Sequence, residues 1–139
     1  MSDYIIINET EIKKNLNFLI IEDNTLLSEL ISEMLSSTGF TGEVYEASNM
    51  KEAIKNLDSL EIDYILSDWG LPDGEGINLL SAIRKSPKYS KIPFVMVTGK
   101  NDIDSMMKAS ELKTSEYLVK PFSKEELLEK IEKGWSSEN

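Results

Sequence analysis

Five residues spread over a hundred positions each close a short apolar run. Glu22 and Asp23 follow Phe18-Leu19-Ile20-Ile21, Asp68 follows Tyr64-Ile65-Leu66-Ser67, Thr98 follows Phe94-Val95-Met96-Val97, and Lys120 follows Tyr117-Leu118-Val119. Taken singly each is ordinary, since acidic pairs after strands are commonly solvated loops or helix caps. Together, three carboxylates, one hydroxyl and one ammonium at the ends of different parallel strands describe a site. Two like charges about 5 Å apart repel by roughly 3 kcal/mol at an effective dielectric of about 20, so the carboxylates need cations. Lys120 supplies one charge and a hard divalent ion the rest. Mg²⁺ fits best, because it binds through one or two carboxylates, waters and a phosphate oxygen without His or Cys. In such a pocket Asp68 is the plausible nucleophile for an aspartyl-phosphate. Thr98 can donate to one phosphoryl oxygen and Lys120 can pair with another. Phosphoryl transfer rests mainly on positioning and charge neutralisation, so a site without His can perform it.

Elements that bring these positions together can be read from the hydrophobic pattern. The short continuous apolar runs suit strands buried on both faces, with Ile62 leading into the Tyr64 run. Between them lie helical stripes: Leu26, Leu27, Leu30, Ile31, Met34 and Leu35 up to a capping Gly39; Met50, Ala53, Ile54 and Leu57; Ile77, Leu80 and Ile83; Ile103, Met106, Met107 and Ala109. The last helix opens with Ser123 and Glu126 as a capping box and runs through Leu127, Leu128 and Ile131. Val44, Tyr45 and Ala47 alternate with Glu43 and Glu46, as in a half-exposed strand near a sheet edge. This alternation predicts an α/β fold, a doubly wound five-stranded parallel sheet with helices on both faces, whose ligand chemistry lies beyond the carboxyl ends of the strands. Residues 17–134 make up that domain and 1–16 precede it. Tyr4-Ile5-Ile6-Ile7 fits an edge strand, packing on the body, association with another chain, or a mobile tail. Residues 135–139 read as a tail fraying from the last helix, with Trp135 able to pack back.

Composition narrows the function classes. A length of 139 residues suits one domain, and 40% hydrophobic with 29% charged residues is ordinary for a globular protein. With no Cys and no His, the chain has no disulfides, thiolate zinc sites, cysteine nucleophiles or His-dependent hydrolase chemistry. A net charge of -10 makes nucleic acid an unsuitable partner. No apolar run approaches the roughly 20 residues that cross a bilayer, and the N-terminus lacks a signal-peptide pattern, so the expectation is a cytoplasmic protein with no membrane partner.

The segments Leu19-Ile20-Ile21-Glu22-Asp23-Asn24, Leu66-Ser67-Asp68-Trp69-Gly70-Leu71-Pro72-Asp73-Gly74-Glu75-Gly76, Val97-Thr98-Gly99 and Tyr117-Leu118-Val119-Lys120-Pro121-Phe122, in this order and spacing, resemble the receiver domains of bacterial two-component response regulators, specifically the single-domain CheY-like kind. The resemblance covers roughly Asn17 to Gly134 and implies a flavodoxin-like three-layer sandwich. It implies that Asp68 accepts the phosphoryl group. Mg²⁺ would be held by Glu22, Asp23 as the closer ligand, Asp68 and the Gly70 backbone carbonyl. It further implies a cis Lys120-Pro121 peptide and a Tyr117 switch that turns as Thr98 moves, altering the face of the fourth helix, fifth strand and fifth helix. At Gly70, Gly99 and Lys100 the chain departs from the commonest pattern; Gly70 leaves the water path open, Lys100 shields or attracts charge, and the net effect on phosphoryl lifetime has no readable sign.

Lacking His, the chain must take phosphate from another molecule, a sensor histidine kinase or His phosphotransfer protein being implied, with small phosphodonors as substitutes. No output domain is expected, so the signal leaves by protein contact, from a monomer or weak dimer. It is no enzyme beyond catalysing its own phosphorylation and dephosphorylation. Met106 and Met107 offer adaptable contact surface, although Met at helical spacing is more often core. A chemotaxis-type output stands slightly ahead of a phosphorelay intermediate, with a degenerate, constitutive interaction module as a third reading. A haloacid-dehalogenase-type phosphatase needs a second Asp where Gly70 stands. An FMN binder needs a phosphate loop where Glu22-Asp23 stand.

Overall fold

A computed structural model describes residues 2–139. In chain order the elements are β1 (Tyr4–Ile7), β2 (Thr10–Lys13), β3 (Phe18–Ile21), α1 (Thr25–Thr38), β4 (Val44–Ala47), α2 (Met50–Ser59) and β5 (Tyr64–Asp68). They continue with β6 (Gly70–Leu71), β7 (Gly74–Glu75), α3 (Gly76–Lys85), β8 (Phe94–Thr98), α4 (Ile103–Glu111), β9 (Glu116–Val119) and α5 (Lys124–Glu138). Five strands form one sheet in the order β4-β3-β5-β8-β9, every neighbouring pair parallel. The chain moves outward from β3 to β4 and then returns across β3 to β5, so strand order reverses between β3 and β5. That is the place where an open α/β sheet leaves a crevice at its carboxyl edge.

Strand alternation divides the core in two. Leu19, Ile21, Ile65, Phe94 and Met96 meet Ala53, Leu57, Ile77, Leu80 and Ile83 on one face. Phe18, Ile20, Tyr64, Leu66, Val95 and Val97 meet Ile31, Leu35, Leu127 and Ile131 on the other. The helix starts are set by side chains: Asn24, Asn49 and Asp102 accept from backbone N–H groups of α1, α2 and α4, and Ser123 with Glu126 completes the expected capping box. Gly39 ends α1 in the left-handed region at φ 115°, as its position after the stripe implies.

Several apolar patterns do not become core. Ile103 is 72% exposed and Met107 56% exposed, and Met106 is exposed too; Ala109 alone buries α4 against the sheet. A short helix seated on one small residue leaves its larger side chains outside. Leu26 and Leu30 of α1 and Ile54 of α2 are likewise exposed. The Tyr117–Val119 run looks doubly buried in sequence, yet β9 is an edge strand in which only Leu118 is buried. Edge position, not composition, sets its burial.

Residues 4–13 and 124–138, near the two ends of the chain, are both structured. Asn8 and Glu9, at φ 48° and 67°, form a two-residue loop that turns β1 back on β2 as an antiparallel hairpin separate from the main sheet. Ile7 and Ile12 are buried in the α1/α5 layer, and the hairpin packs on α5. At the other end α5 does not fray after Gly134 but continues to Glu138, with Trp135 packed on the core. The buried Arg84 explains this extension: its guanidinium donates to the carbonyls of Lys113 and Ile92, to Ser115 Oγ and to Glu138, tying the helix end to three other segments.

Candidate functional site

At the carboxyl edge the strand ends converge. Glu22 continues the β3 ladder by donating its N–H to the Ala47 carbonyl, and its side chain is buried, 4% exposed. Lys120 continues β9 by donating its N–H to the Thr98 carbonyl at 2.8 Å, which sets the lysine beside β8. Glu22, Asp23 and Asp68 each offer a carboxylate oxygen, and these three atoms lie within 4.8 Å of one another. The Lys120 ammonium donates to Glu22 Oε1 at 2.6 Å and to Asp68 Oδ2 at 3.2 Å. Thr98 is buried next to them, its hydroxyl oxygen accepting from the Lys100 N–H at 3.2 Å. A junction of four parallel strands therefore brings together Glu22, Asp23, Asp68, Thr98 and Lys120, the five positions singled out by residue type.

The charges perturb one another in a defined direction. Burial pushes the Glu22 carboxyl above its ordinary pKa, opposed by the Lys120 bond and the Asn24 N–H and reinforced by the charge on Asp68. For Lys120, burial alone lowers the pKa, but the bond to Glu22 and the field of both carboxylates outweigh it and raise the pKa. The ammonium is thus fixed in its charged form. All the offered donors are oxygens on a half-open surface, so the set fits a hard divalent cation such as Mg²⁺ and no thiophilic metal.

The loop after Asp68 holds that side chain in place. Asp68 Oδ1 accepts from the Trp69 N–H at 2.7 Å. β6 and β7 form a minute antiparallel hairpin through Leu71-Pro72-Asp73-Gly74, and Gly76 donates back to the Trp69 carbonyl. A Cβ on Gly76 would strike the Asp68 carbonyl oxygen, so only glycine lets α3 start this close beneath Asp68. Asp73 accepts from the N–H groups of Met50 and Lys51, pinning the hairpin to the start of α2; these bonds hold its carboxyl below the usual range. Trp69 is buried and donates from Nε1 to Glu75 at 2.7 Å, while the Lys100 ammonium lies over its ring, 5.4 Å from the centroid. Sequence reasoning missed the roles of Asp73, Glu75 and Gly76. The L-P-D-G turn signal was the available clue to the first, whereas the other two depend on close approaches that no local pattern encodes.

The remaining expected positions fall nearby. Gly70 begins β6, exposed, with no atom within 4 Å of where a Cβ would stand. Gly99 is equally open. The Lys120-Pro121 peptide is cis. Tyr117 on β9 donates its hydroxyl to the Lys100 carbonyl at 2.8 Å; burial first, then the Asp102 charge, raises its pKa. The Tyr117 ring is thereby tethered to the loop that follows Thr98. A cleft of about 440 Å³ lined by Asn24, Leu27, Leu30, Lys120, Pro121 and Phe122 adjoins the carboxylates. The larger cavity, about 830 Å³, lies at the opposite ends of the strands, between Lys13, Asn17, Asp63 and Lys88, away from this chemistry.

Residues 18–132 match the family model described as the response regulator receiver domain. The chain belongs to that family. It is 34% identical over 118 residues, 85% of this chain and 94% of the relative, to the chemotaxis protein CheY of Pseudomonas aeruginosa. It is 29% identical to the chemotaxis protein CheY-3 of Vibrio cholerae over 90% of this chain and 95% of that one. Among solved structures, the chemotaxis response regulator CheY4 of Vibrio cholerae superposes with a TM-score of 0.79 at 25% identity, covering 86% of this chain and 98% of that one. A CheY-like receiver domain protein of Methanospirillum hungatei gives 0.79 at 26% identity, covering 89% and 96%. The receiver fold is therefore established for this chain, and a receiver is a signalling module, not a metabolic enzyme. Among the described residues no helix is long and apolar enough to cross a membrane.

Proposed function

We propose that the chain is a response regulator that accepts a phosphoryl group on Asp68 from a histidine kinase and passes the signal on by phosphorylation-dependent protein contact. The observation that carries this reading is the joint geometry of Lys120, which bridges Glu22 and Asp68 from the far edge of the sheet while Asp23 stands within 4.8 Å of both. A bound Mg²⁺ would be held by Glu22, Asp23, Asp68 and the Gly70 carbonyl and would supply neutralisation of the incoming phosphoryl oxygens. A carboxylate oxygen of Asp68 forms the new P–O bond as the donor's P–N bond breaks, and the departing imidazole nitrogen takes up a proton from solvent. Lys120 exchanges one of its carboxylate partners for a phosphoryl oxygen. The Thr98 hydroxyl, close beside it, donates to another.

Output follows from the same bonds. Once Thr98 moves to the phosphoryl group, the loop that holds the Lys100 carbonyl shifts, and Tyr117 loses its hydroxyl partner there. The exposed Ile103, Met106 and Met107 lie on α4, beside β9 and α5, where a protein effector reads the change. Phosphorylation shifts this equilibrium by its differential interaction with two states, typically a few kcal/mol. The donor docks over the cleft beside α1, where the exposed Leu30 and the partly buried Leu27 and Phe122 give an apolar seat beside Lys120. We favour a chemotaxis-type output over a relay role, a reading supported by the likeness to chemotaxis regulators.

The test uses Trp69, packed against the acceptor, as a fluorescent reporter with Trp135 replaced by Phe. Mg²⁺ followed by beryllium fluoride or acetyl phosphate changes Trp69 emission, and Asp68→Asn loses the response to both phosphoryl reagents. Equal phosphate incorporation by the wild type and Asp68→Asn proteins would overturn the assignment of the acceptor.

A further inference from the structure

The N-terminal hairpin has no strand paired with the outer edge of its β1 among the described residues. Its two-residue loop makes Ile7 and Thr10 the hydrogen-bonded pair, and the pattern alternates from there, so Ile5 with Ile12 and Asp3 with Lys14 also point their main-chain groups inward. The Lys14 N–H donating to the Asp3 carbonyl at 3.1 Å agrees with that parity. The N–H and C=O groups of Tyr4 and Ile6 therefore face away from β2. Tyr4 spends its N–H on the nearby Ser2 hydroxyl, and Ile6 has no main-chain partner among the described residues outside its own hairpin. The side chains on the outer face are large and apolar: Ile6 is 70% exposed and Tyr4 44%. Residues 4–7 carry no charge, no proline and no bulge, the devices that ordinarily blunt an open edge.

We propose that this edge is a self-association site, at which β1 of one molecule pairs antiparallel with β1 of a second copy about a two-fold axis at Ile5. In that register Tyr4 lies opposite Ile6 of the second copy and Ile6 opposite its Tyr4, so the outward groups of all four residues pair with one another once each Tyr4 N–H exchanges the Ser2 hydroxyl for the facing Ile6 carbonyl. The two hairpins become a four-stranded sheet, and an aromatic residue meets a β-branched one on the outer face twice. The strand is its own complement in this register, so the occupant is a second copy of this chain. Because Lys13 stands across from Tyr4 and Glu11 across from Ile6, each outer row of the joined sheet runs Glu11, Ile6, Tyr4, Lys13, with opposite charges at its ends. Residues 4–7 themselves are uncharged, so no charges face one another across the paired strands, although each molecule carries a net charge of -10. The contact is small, so the dimer is weak and reversible. It lies at the end of the molecule away from Asp68, because Leu16 and Asn17 lead from the hairpin into the amino end of β3. Pairing therefore leaves both phosphate chemistry and the α4 face free.

Sedimentation equilibrium of the full chain over a wide concentration range, with amide hydrogen exchange, tests this. The expected result is a reversible monomer–dimer equilibrium and an Ile6 amide that exchanges freely when dilute and gains protection as concentration rises. Ile6→Lys and Tyr4→Lys, at exposed positions that leave thermal unfolding unchanged, weaken dimerisation about tenfold or more. Met107→Lys on α4 leaves it unchanged, as do Mg²⁺ and beryllium fluoride. A wild type that stays monomeric at every concentration, a dimer that survives Ile6→Lys, or one abolished by Met107→Lys would each overturn the proposal. Because the measurements need no phosphoryl group, they stand or fall separately from the reading of Asp68.

Discussion

Replacing Lys120 by Met removes the charge that binds the carboxylate cluster and keeps most of the apolar stem. At an effective dielectric of about 20, the ammonium attracts Glu22 at 2.6 Å by about 6 kcal/mol and Asp68 at 3.2 Å by about 5 kcal/mol. Taking the lysine out of water offsets much of that, since its side chain is 24% exposed and the desolvation penalty is several kcal/mol. What remains after the substitution is a buried Glu22 facing Asp23 and Asp68 with no cation, the situation in which losing one partner of a buried pair costs about 3–5 kcal/mol. We expect Lys120→Met to lose about 3 kcal/mol in urea unfolding with EDTA present, a fall in Tm of about 10 °C for a domain of this size. Mg²⁺ reverses the order of effects. It replaces the missing charge and no longer faces the ammonium's repulsion, so the variant binds it more tightly than wild type does. A ligand at 100 times its Kd stabilises by about 2.7 kcal/mol, and at one Mg²⁺ concentration the gain should be larger in Lys120→Met than in wild type. Equal stability of the two proteins in EDTA, or an equal Mg²⁺ gain, would refute the electrostatic account of the site. Phosphate uptake from acetyl phosphate should still fall in the variant, since no ammonium is left for the phosphoryl oxygen.

Gly76→Ala, which drives a methyl group into the Asp68 carbonyl, should slow acetyl phosphate labelling by tenfold or more while the carboxylate set is chemically intact; unchanged labelling would show that the α3 start does not position the acceptor. Tyr64→Phe removes the buried hydroxyl that donates to the Ile131 carbonyl at 2.8 Å and should cost about 1 kcal/mol at neutral pH in urea unfolding. Burial, then the charges of Glu116, Glu132 and Glu138, hold the Tyr64 pKa well above 10.0. The native state thus keeps this proton after the unfolded chain has lost it. Wild-type stability should fall as pH rises above about 10, and Tyr64→Phe should lose that part of the slope. Tyr117→Phe breaks the tether to the Lys100 carbonyl; the effector affinities of the free and beryllium fluoride forms should move closer together, and an unaltered ratio would remove Tyr117 from the coupling.

Sequence alone picked out the residues on which the proposed chemistry rests and the alternation of strands and helices that brings them to one edge. Glu22, Asp23, Asp68, Thr98 and Lys120 could be found because each ends a continuous apolar run, and such runs become buried parallel strands whose carboxyl ends share one edge. The Ser123-Glu126 cap and Gly39 were equally readable, because capping is a local event among a few residues. Tertiary structure decided everything that depends on a neighbour distant in the chain. Ile103, Met106 and Met107 have the spacing of a buried stripe, yet α4 touches the sheet through Ala109 alone. In the Tyr117–Val119 run only Leu118 is buried, because no strand pairs with its outer side among the described residues. The packing of the β1-β2 hairpin on α5, the extension of α5 to Glu138 held by Arg84, and the need for glycine at position 76 come from contacts across the molecule. Periodicity reports what a segment would bury if a partner were present; only the folded chain says where the partner is.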